Sequence, residues 1–251
     1  MKTKFKRFVP LVPGVFTVGN MICGFTSILH STSGKIVSAA WLIILGAFFD
    51  LLDGKVARLT SASSEMGVEL DSLADFLTFG ISPGILLFSL GIYNMKNWGF
   101  VIPILFLLAG SFRLARYNIT ADPHYKSDFQ GLPIPLAAGF VASYILFSYS
   151  IWSKIEYTQF FTPSLVLLSW LMISNVRYPS SPKFVVIRKL PWRVLALSLP
   201  VVAILIKPRW FLFPVIFLYI LHGFIRELYW TVMGVEKEEK DEIQDRDCGS
   251  S

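Results

Sequence analysis

Apolar residues in this chain fall into long, nearly uninterrupted runs instead of the short alternating patterns of a soluble domain. Several runs approach or exceed the roughly 20 residues that a membrane-spanning helix needs. The sixth and seventh are the shortest, and either of them is also compatible with a tilted or re-entrant segment. The pattern predicts an all-α, polytopic transmembrane helix bundle with about eight spans, at 14–33, 36–57, 71–92, 99–119, 131–151, 160–176, 192–206 and 210–233.

Composition agrees with a bilayer environment. Of the 251 residues, 54% are hydrophobic, 22 are Phe and only 16% are charged, which is too little charge for a soluble domain of this length. The basic N-terminus leads into a full-length span without an evident cleavage site, so we do not expect a signal peptide. Cys23 and Cys248 are too differently placed to predict a disulfide. We expect one membrane domain over 1–234 and a charged, disordered tail over 235–251.

Basic residues predict the orientation of the bundle. If the N-terminus is cytoplasmic, eighteen of the 23 Lys and Arg residues fall on the cytoplasmic side, as the positive-inside rule describes. Both termini are then cytoplasmic, and the net charge of +6 reflects topology and attraction to anionic lipid, not nucleic-acid binding. The basic residues left outside are Lys35, Lys96, Lys154, Lys207 and Arg209.

Four carboxylates interrupt this apolar pattern. Asp50 and Asp53 follow the second run, and Asp71 and Asp75 open the third. An ionised carboxylate near the hydrocarbon costs several kcal/mol on the order of translocon-scale estimates, so it needs a compensating partner. Spacings of three and four residues place each pair on one helix face. A short polar connection at 58–70 predicts an antiparallel hairpin in which the two pairs face each other.

Hard oxygen ligands that converge in this way suit Mg²⁺ or Mn²⁺, with Ca²⁺ as an alternative, and they suit zinc poorly. The four carboxylates suffice for two divalent cations, as in phosphoryl chemistry. A simpler interpretation is an acidic helix pair neutralised by Lys55 and Arg58. Small residues beside the carboxylates, Gly54, Ala57 and Gly67, would let a ligand approach the backbone, although each would also serve as a helix-packing contact. Arg58 can pair with a phosphate or anchor the helix at the membrane surface.

Residues 50–75 read DLLDGKVARLTSASSEMGVELDSLAD. This segment resembles the signature of the CDP-alcohol phosphatidyltransferase family at every defined position. The resemblance implies six core transmembrane helices, usually a homodimer, and a dinuclear metal site. It implies that Asp50, Asp53, Asp71 and Asp75 hold the metals, and that Asp75 is also the general base. The residues that the resemblance assigns to the CDP group are Asp53, Gly54, Ala57, Arg58, Gly67 and Asp71.

Three further segments are similar to the membrane-embedded phosphatidylserine synthases within that family. They are VPGVFTVGNMICGFTSI, whose Thr17 and Asn20 would reach the nucleotide, FRLARYN at 112–118 and FQGLPIPLAAG at 129–139. Arg113 and Arg116, three residues apart, are candidates for binding the acceptor carboxylate or the lipid phosphate, with positive-inside anchoring as the alternative. Asn118 is a weaker candidate for the same site.

The predicted reaction is transfer of a phosphatidyl group from CDP-diacylglycerol to L-serine at the cytoplasmic face of the cell membrane, giving phosphatidylserine and CMP. A sibling transferase that uses glycerol 3-phosphate or an inositol phosphate is the first alternative. A divalent-cation transporter is the second, but it leaves the Gly, Ala and Arg spacing unexplained. The sequence leaves open whether the lipid is a diacyl or an archaeal diether lipid.

Overall fold

The computed structural model describes residues 11–60, 65–90, 98–120, 129–153, 161–174, 176–178, 202–204 and 206–232. Its helical elements in chain order are α1 Leu11–Thr32, α2 Ile36–Thr60, α3 Glu65–Asp75, a π-helical segment Phe76–Ile81, α4 Ser82–Ser89, α5 Trp98–Thr120, α6 Ile134–Trp152, α7 Phe161–Ile173 and α8 Pro208–Val232. Two strands of two residues each, β1 Phe129–Gln130 and β2 Arg177–Tyr178, pair antiparallel with Phe129 opposite Tyr178. The sequence did not predict this pairing.

Five helical stretches of the described residues are long and apolar enough to cross a bilayer: Ile36–Val56, Met66–Ser89, Gly99–Ile119, Ile134–Trp152 and Pro208–Tyr229. They confirm the second, third, fourth, fifth and eighth predicted spans, and with them the polytopic helical bundle. The sixth falls on α7, which has only 13 residues. Of the seventh, 192–206, the structure describes only 202–204 and 206. The tail, 235–251, lies outside the described residues.

The first predicted span is α1, a helix of 22 residues that is not among those five stretches. Its buried face carries the polar residues Thr17, Asn20, Ser27 and Ser31. Its exposed face is apolar, because lipid solvates large apolar side chains while small and polar residues pack between helices. The exposed residues are Val15, Val18, Ile22, Phe25 and Leu29. This inward polar face supplies part of the site described below.

The predicted connection at 58–70 was too long. Helix α2 continues to Thr60 and α3 begins at Glu65, so the third span starts before Asp71. The segment EMGVEL is rich in Glu, Met and Leu, and these residues favour helix strongly enough to outweigh one Gly. The carboxylate pairs therefore lie inside helices and not at their ends. Helix α3 also packs mainly on α1 and not on α2. The sequence predicted a direct contact between α2 and α3, and α1 lies along that interface instead.

Helix α6 forms the centre of the bundle and α8 forms its edge. Two thirds of the span in α6, 67%, is buried, against 11% of the span in α8. Helix α6 packs on α2 and α8, and α5 packs on α7. Aromatic side chains fill the contact between α6 and α8, where the ring of Phe213 lies 5.3 Å from the rings of Phe140 and Tyr144. The site forms where side chains of α1, α2, α3 and α5 come within reach of one another.

Candidate metal and nucleotide site

Three of the four predicted carboxylates converge. One oxygen each of Asp50, Asp71 and Asp75 lie within 4.8 Å of one another. All three side chains are half-buried, and Asp71 Oδ1 is buried without a hydrogen-bond partner among the residues that the structure describes. A buried acceptor of this kind is costly unless a ligand satisfies it. This triad can therefore accept a cation.

The fourth carboxylate lies beside the triad. Asp53 is 5% exposed and accepts a hydrogen bond from the Thr17 hydroxyl. It is close enough to interact electrostatically with Asp50 and Asp71. The structure thus gathers all four predicted residues, with Asp53 held by α1 at the edge of the cluster.

Helix α1 contributes two hydrogen-bond donors to the carboxylates. In addition to the Thr17 bond, Asn20 Nδ2 donates to Asp75 Oδ1 at 3.1 Å. Thr17 and Asn20 are three residues apart and therefore share a helix face. The sequence placed both residues near a nucleotide, but it did not indicate that each bonds to a different predicted ligand of the metals.

Close packing between helices makes these bonds possible. A Cβ on Gly46 of α2 would lie 2.6 Å from Thr78 Cγ2 and 3.0 Å from Asn20 Oδ1. A Cβ on Gly24 of α1 would lie 2.3 Å from Thr78 Oγ1. Any larger residue at either position would push α1 away from the carboxylates. The sequence assigned neither glycine a role, although Gly24 lies within the segment VPGVFTVGNMICGFTSI.

The helix that carries Asp75 changes geometry immediately after it. The π-helical segment runs from Phe76 to Ile81, and its Thr78 hydroxyl donates to the Asn20 carbonyl oxygen at 3.0 Å. Short π-helical insertions occur often at functional sites because the extra residue per turn redirects neighbouring side chains. No feature of the sequence around Phe76 predicted this segment.

The structure describes only some of the side chains that were predicted to bind the nucleotide. A Cβ on Gly54 would meet no atom within 4 Å, which agrees with open space beside this glycine. Gly67 is exposed on α3. Ala57 and Arg58 belong to α2, but their side chains lie outside the described residues, so their predicted contacts with CDP stay predictions.

Arg113 of α5 is a cation that faces the cluster. It is 6% exposed and interacts electrostatically with Asp75 and Asp50. Its Cζ lies 5.2 Å from the centroid of the Tyr117 ring, a cation–π distance. Its Nε has no hydrogen-bond partner within the described part of the chain. The guanidinium therefore retains a donor at the edge of the carboxylate site.

Arg116 has a different environment, although it was predicted together with Arg113. Its guanidinium donates to the carbonyl oxygens of Ile173 at 2.9 Å, Ser174 at 3.1 Å and Met172 at 3.3 Å. These carbonyls lie at the C-terminal end of α7, where a cation is favourable. Arg116 therefore joins the end of α5 to the end of α7.

Asn118 connects α5 to the helix of the third and fourth carboxylates. Its Nδ2 donates to Ser72 Oγ at 2.9 Å, next to Asp71 in the sequence. The predicted role of Asn118 in acceptor binding is not tested by this bond. Its observed contact holds α5 against α3.

A family model described as CDP-alcohol phosphatidyltransferase matches residues 10–176, a range that includes all the residues of this site. The chain belongs to that family. It is consequently an enzyme of the phosphotransferase class and an integral membrane protein. Helix α8 lies outside the matched range.

Curated relatives of this transferase include two bacterial proteins named CDP-diacylglycerol–serine O-phosphatidyltransferase. The Helicobacter pylori (strain ATCC 700392 / 26695) protein is 33% identical over 92% of this chain and 96% of its own. The Bacillus subtilis (strain 168) protein is 34% identical over 68% of this chain and 92% of its own. An archaetidylserine synthase from Methanothermobacter thermautotrophicus is 33% identical over 70% of this chain and 72% of its own. These relatives agree with the resemblance found in the sequence.

Proposed function

We propose that this enzyme transfers a phosphatidyl group from CDP-diacylglycerol to the hydroxyl of L-serine, with phosphatidylserine and CMP as products. The observation that carries the proposal is the oxygen cluster of Asp50, Asp71 and Asp75, with the buried guanidinium of Arg113 facing it. The names of the bacterial relatives support serine as the acceptor.

The carboxylates fit two divalent cations, Mg²⁺ or Mn²⁺, with Ca²⁺ as the alternative. The triad offers hard oxygen ligands, and the orphaned Asp71 Oδ1 is the kind of atom that a cation satisfies. Asp53 completes the set. When bound, the cations would neutralise the pyrophosphate and the charge that develops on the departing CMP.

The CDP group is bound, in this proposal, along the open side of α2 and the start of α3. The space beside Gly54 would admit the pyrophosphate close to the backbone. The Arg58 guanidinium would pair with a phosphate. The proposed CDP residues are Thr17, Asp53, Gly54, Ala57, Arg58, Gly67 and Asp71.

Asp75 is the proposed general base. The serine hydroxyl loses its proton to the Asp75 carboxylate while its oxygen attacks the lipid-linked phosphorus. The bond between that phosphorus and the CMP oxygen breaks, and CMP leaves with the electron pair. Direct displacement needs no further nucleophile.

Arg113 is the proposed partner of the serine carboxylate. A guanidinium forms charge-assisted, often bidentate hydrogen bonds with a carboxylate. The nearby acids Asp50 and Asp75 hold the guanidinium beside the reacting groups. Arg116 and Asn118 were predicted for the same site, and we propose that they support it through α7 and α3 instead of contacting serine.

Orientation and assembly complete the proposal. The active site faces the cytoplasm, both termini are cytoplasmic, and the donor's acyl chains remain in the cell membrane. The enzyme acts as a homodimer, as the family resemblance implies. The tail, 235–251, is separate from the catalytic domain, 1–234.

The test is CMP release from CDP-diacylglycerol by the purified enzyme, with serine, glycerol 3-phosphate and inositol phosphate offered separately. We expect CMP release when serine is the acceptor, and no release when glycerol 3-phosphate or inositol phosphate is the acceptor. Release with a phosphorylated acceptor only would favour the sibling transferase. No release with any acceptor, together with cation flux in liposomes, would favour the transporter, which family membership already disfavours.

A further inference from the structure

Asn20 is a fully buried residue in contact with the carboxylate cluster. Its side chain has no exposed surface, 0%, whereas Asp75 is only partly buried. The Asn20 amide reaches Asp75 Oδ1 at 3.1 Å. A side chain without exposed surface offers no face to a nucleotide, so its contact with Asp75 is the one that it can use.

The residues packed around Asn20 restrict the orientation of its side-chain amide. The missing Cβ of Gly46 leaves room for Asn20 Oδ1, which would lie 3.0 Å from such an atom. Oδ1 has no hydrogen-bond partner within the described residues. Only the donor end of the amide is therefore engaged, and that end faces the carboxylate, as required for a bond to an acceptor oxygen.

The backbone of Asn20 is fixed to the same element as its side chain. Its carbonyl oxygen accepts the Thr78 hydroxyl at 3.0 Å, and Thr78 follows Asp75 by three residues. The two bonds tie α1 to Asp75 itself and to Thr78, which follows it in the same continuous helical stretch. Two attachments of this kind define the position of Asp75 more closely than either one alone.

We propose that Asn20 is a positioning residue for Asp75. Its amide bonds to Oδ1 and so fixes the orientation of the Asp75 carboxylate beside Asp50 and Asp71. This inference rests on the proposed function, because it assumes that Asp75 is the general base. It assigns Asn20 a role through Asp75, in place of the direct CDP contact that the sequence predicted.

The variant Asn20→Ala tests the inference, with Asn20→Ser as a second variant that keeps a polar group at this position. We expect the kcat of Asn20→Ala to fall at least about tenfold, because Asp75 is no longer held in position. This loss is part of the rate enhancement that a general base contributes. The KM for CDP-diacylglycerol and the dissociation constant for CDP with Mn²⁺ stay within about threefold, since neither reports proton transfer.

Ser27→Ala is the matched control. Ser27 lies seven residues further along α1 on the same face, where it accepts the Ser82 hydroxyl at 2.8 Å and donates to the Ala39 carbonyl at 2.9 Å. The substitution removes buried polar contacts of the same helix, α1, with α2 and α4, away from the carboxylates. We expect a lower midpoint of thermal unfolding and an unchanged kcat.

Combining Asn20→Ala with Asp75→Asn distinguishes a role of Asn20 through Asp75 from direct contact with the nucleotide. If Asn20 acts through Asp75, adding Asn20→Ala to Asp75→Asn leaves CDP affinity unchanged and causes no further loss of turnover. Weaker CDP binding in the double variant would overturn the inference in favour of direct nucleotide contact. A wild-type kcat for Asn20→Ala would also overturn it. Failure of the wild-type enzyme to release CMP with serine would instead reject the proposed function.

Discussion

At the scale of single residues, the same residue type serves different purposes at two positions of one helix. Arg113 faces Asp50 and Asp75, whereas Arg116 binds the carbonyls that end α7. Two glycines of α2 differ in the same way. Gly46 is closed in by Thr78 and Asn20, while Gly54 borders open space. Each contrast gives a pair of variants in which one is the control of the other.

The first prediction concerns Asp75→Asn. We expect turnover to fall by about 100-fold or more, because general-base catalysis contributes about 10²–10⁴-fold. CDP binding, measured by titration calorimetry with Mn²⁺, should remain. Glu69→Gln changes an exposed acid of the same helix and should leave both quantities unchanged. Near-normal turnover of Asp75→Asn would rule out Asp75 as the base.

The second prediction compares Gly46→Ala with Gly54→Ala. The new methyl group at position 46 meets Thr78 Cγ2 at 2.6 Å, so we expect a loss of about 1–3 kcal/mol from overpacking. At position 54 the space is open, and helix propensity favours Ala by up to about 1 kcal/mol. Thermal unfolding in detergent should show lower stability for the first variant alone. The second should raise the KM for CDP-diacylglycerol, and equal stability losses in both would contradict the packing argument.

At the scale of elements, the C-terminal ends of α5 and α7 and the start of α6 form one junction. Gly131, at φ +79°, adopts a backbone conformation that favours glycine. Its N–H donates to the Val176 carbonyl at 2.8 Å. A Cβ there would lie 2.5 Å from the Met172 carbonyl and 2.6 Å from the Arg116 guanidinium. This junction fixes the end of α5, and with it the position of Arg113.

The third prediction separates Arg116 from Arg113. Arg116→Ala should cost about 2 kcal/mol of stability, because charged hydrogen bonds to the α7 carbonyls are lost, with little change in the KM for serine. Arg113→Lys should raise the KM for serine about tenfold or more, since an ammonium cannot make a bidentate pair, with little change in stability. Steady-state kinetics and thermal unfolding of both variants give the comparison. A raised KM for serine in Arg116→Ala at full stability would instead favour direct acceptor binding by Arg116.

At the scale of the whole molecule, the bundle places four acids and a buried guanidinium among apolar spans. Buried like charges destabilise the fold unless they are compensated. Arg113 compensates part of the charge through Asp75 and Asp50. Bound cations would compensate the remainder, so cation binding should stabilise the enzyme as well as activate it.

The fourth prediction is that Mn²⁺ or Mg²⁺ raises the midpoint of thermal unfolding. At about 100 times the dissociation constant, a bound ligand adds about 2.7 kcal/mol of stability. The double variant Asp50→Asn, Asp71→Asn should lose this shift, since it removes two ligands of the triad. The monovalent ion Na⁺ at equal ionic strength is the control. A shift of the same size in the double variant would show that the ions bind elsewhere.

The fifth prediction concerns orientation. The turn between α1 and α2 should lie outside the cell, because the positive-inside rule puts both termini in the cytoplasm. In a background with Cys23→Ser and Cys248→Ser, a membrane-impermeant thiol reagent should label Ser33→Cys in intact cells. Gly54→Cys, on the opposite end of α2, should react only after permeabilisation. The reverse labelling pattern would invert the topology.

The sequence by itself determined the class of the molecule and the identity of its acids. Long apolar runs require helices in a bilayer, since backbone polar groups must be satisfied within each span. The spacings within the pairs Asp50/Asp53 and Asp71/Asp75 were sufficient to place each pair on one helix face. Both conclusions depend on local pattern alone.

Only the tertiary structure decided which partners these residues have. The bonds from Thr17 to Asp53 and from Asn20 to Asp75 join residues 36 and 55 positions apart. They depend on the close approach of helices at Gly24, Gly46 and Thr78. Arg113 and Arg116 have the same side chain and differ only in what lies opposite. Helix periodicity fixes the direction of a side chain but not the neighbour that it meets, because the packing of distant helices decides that neighbour.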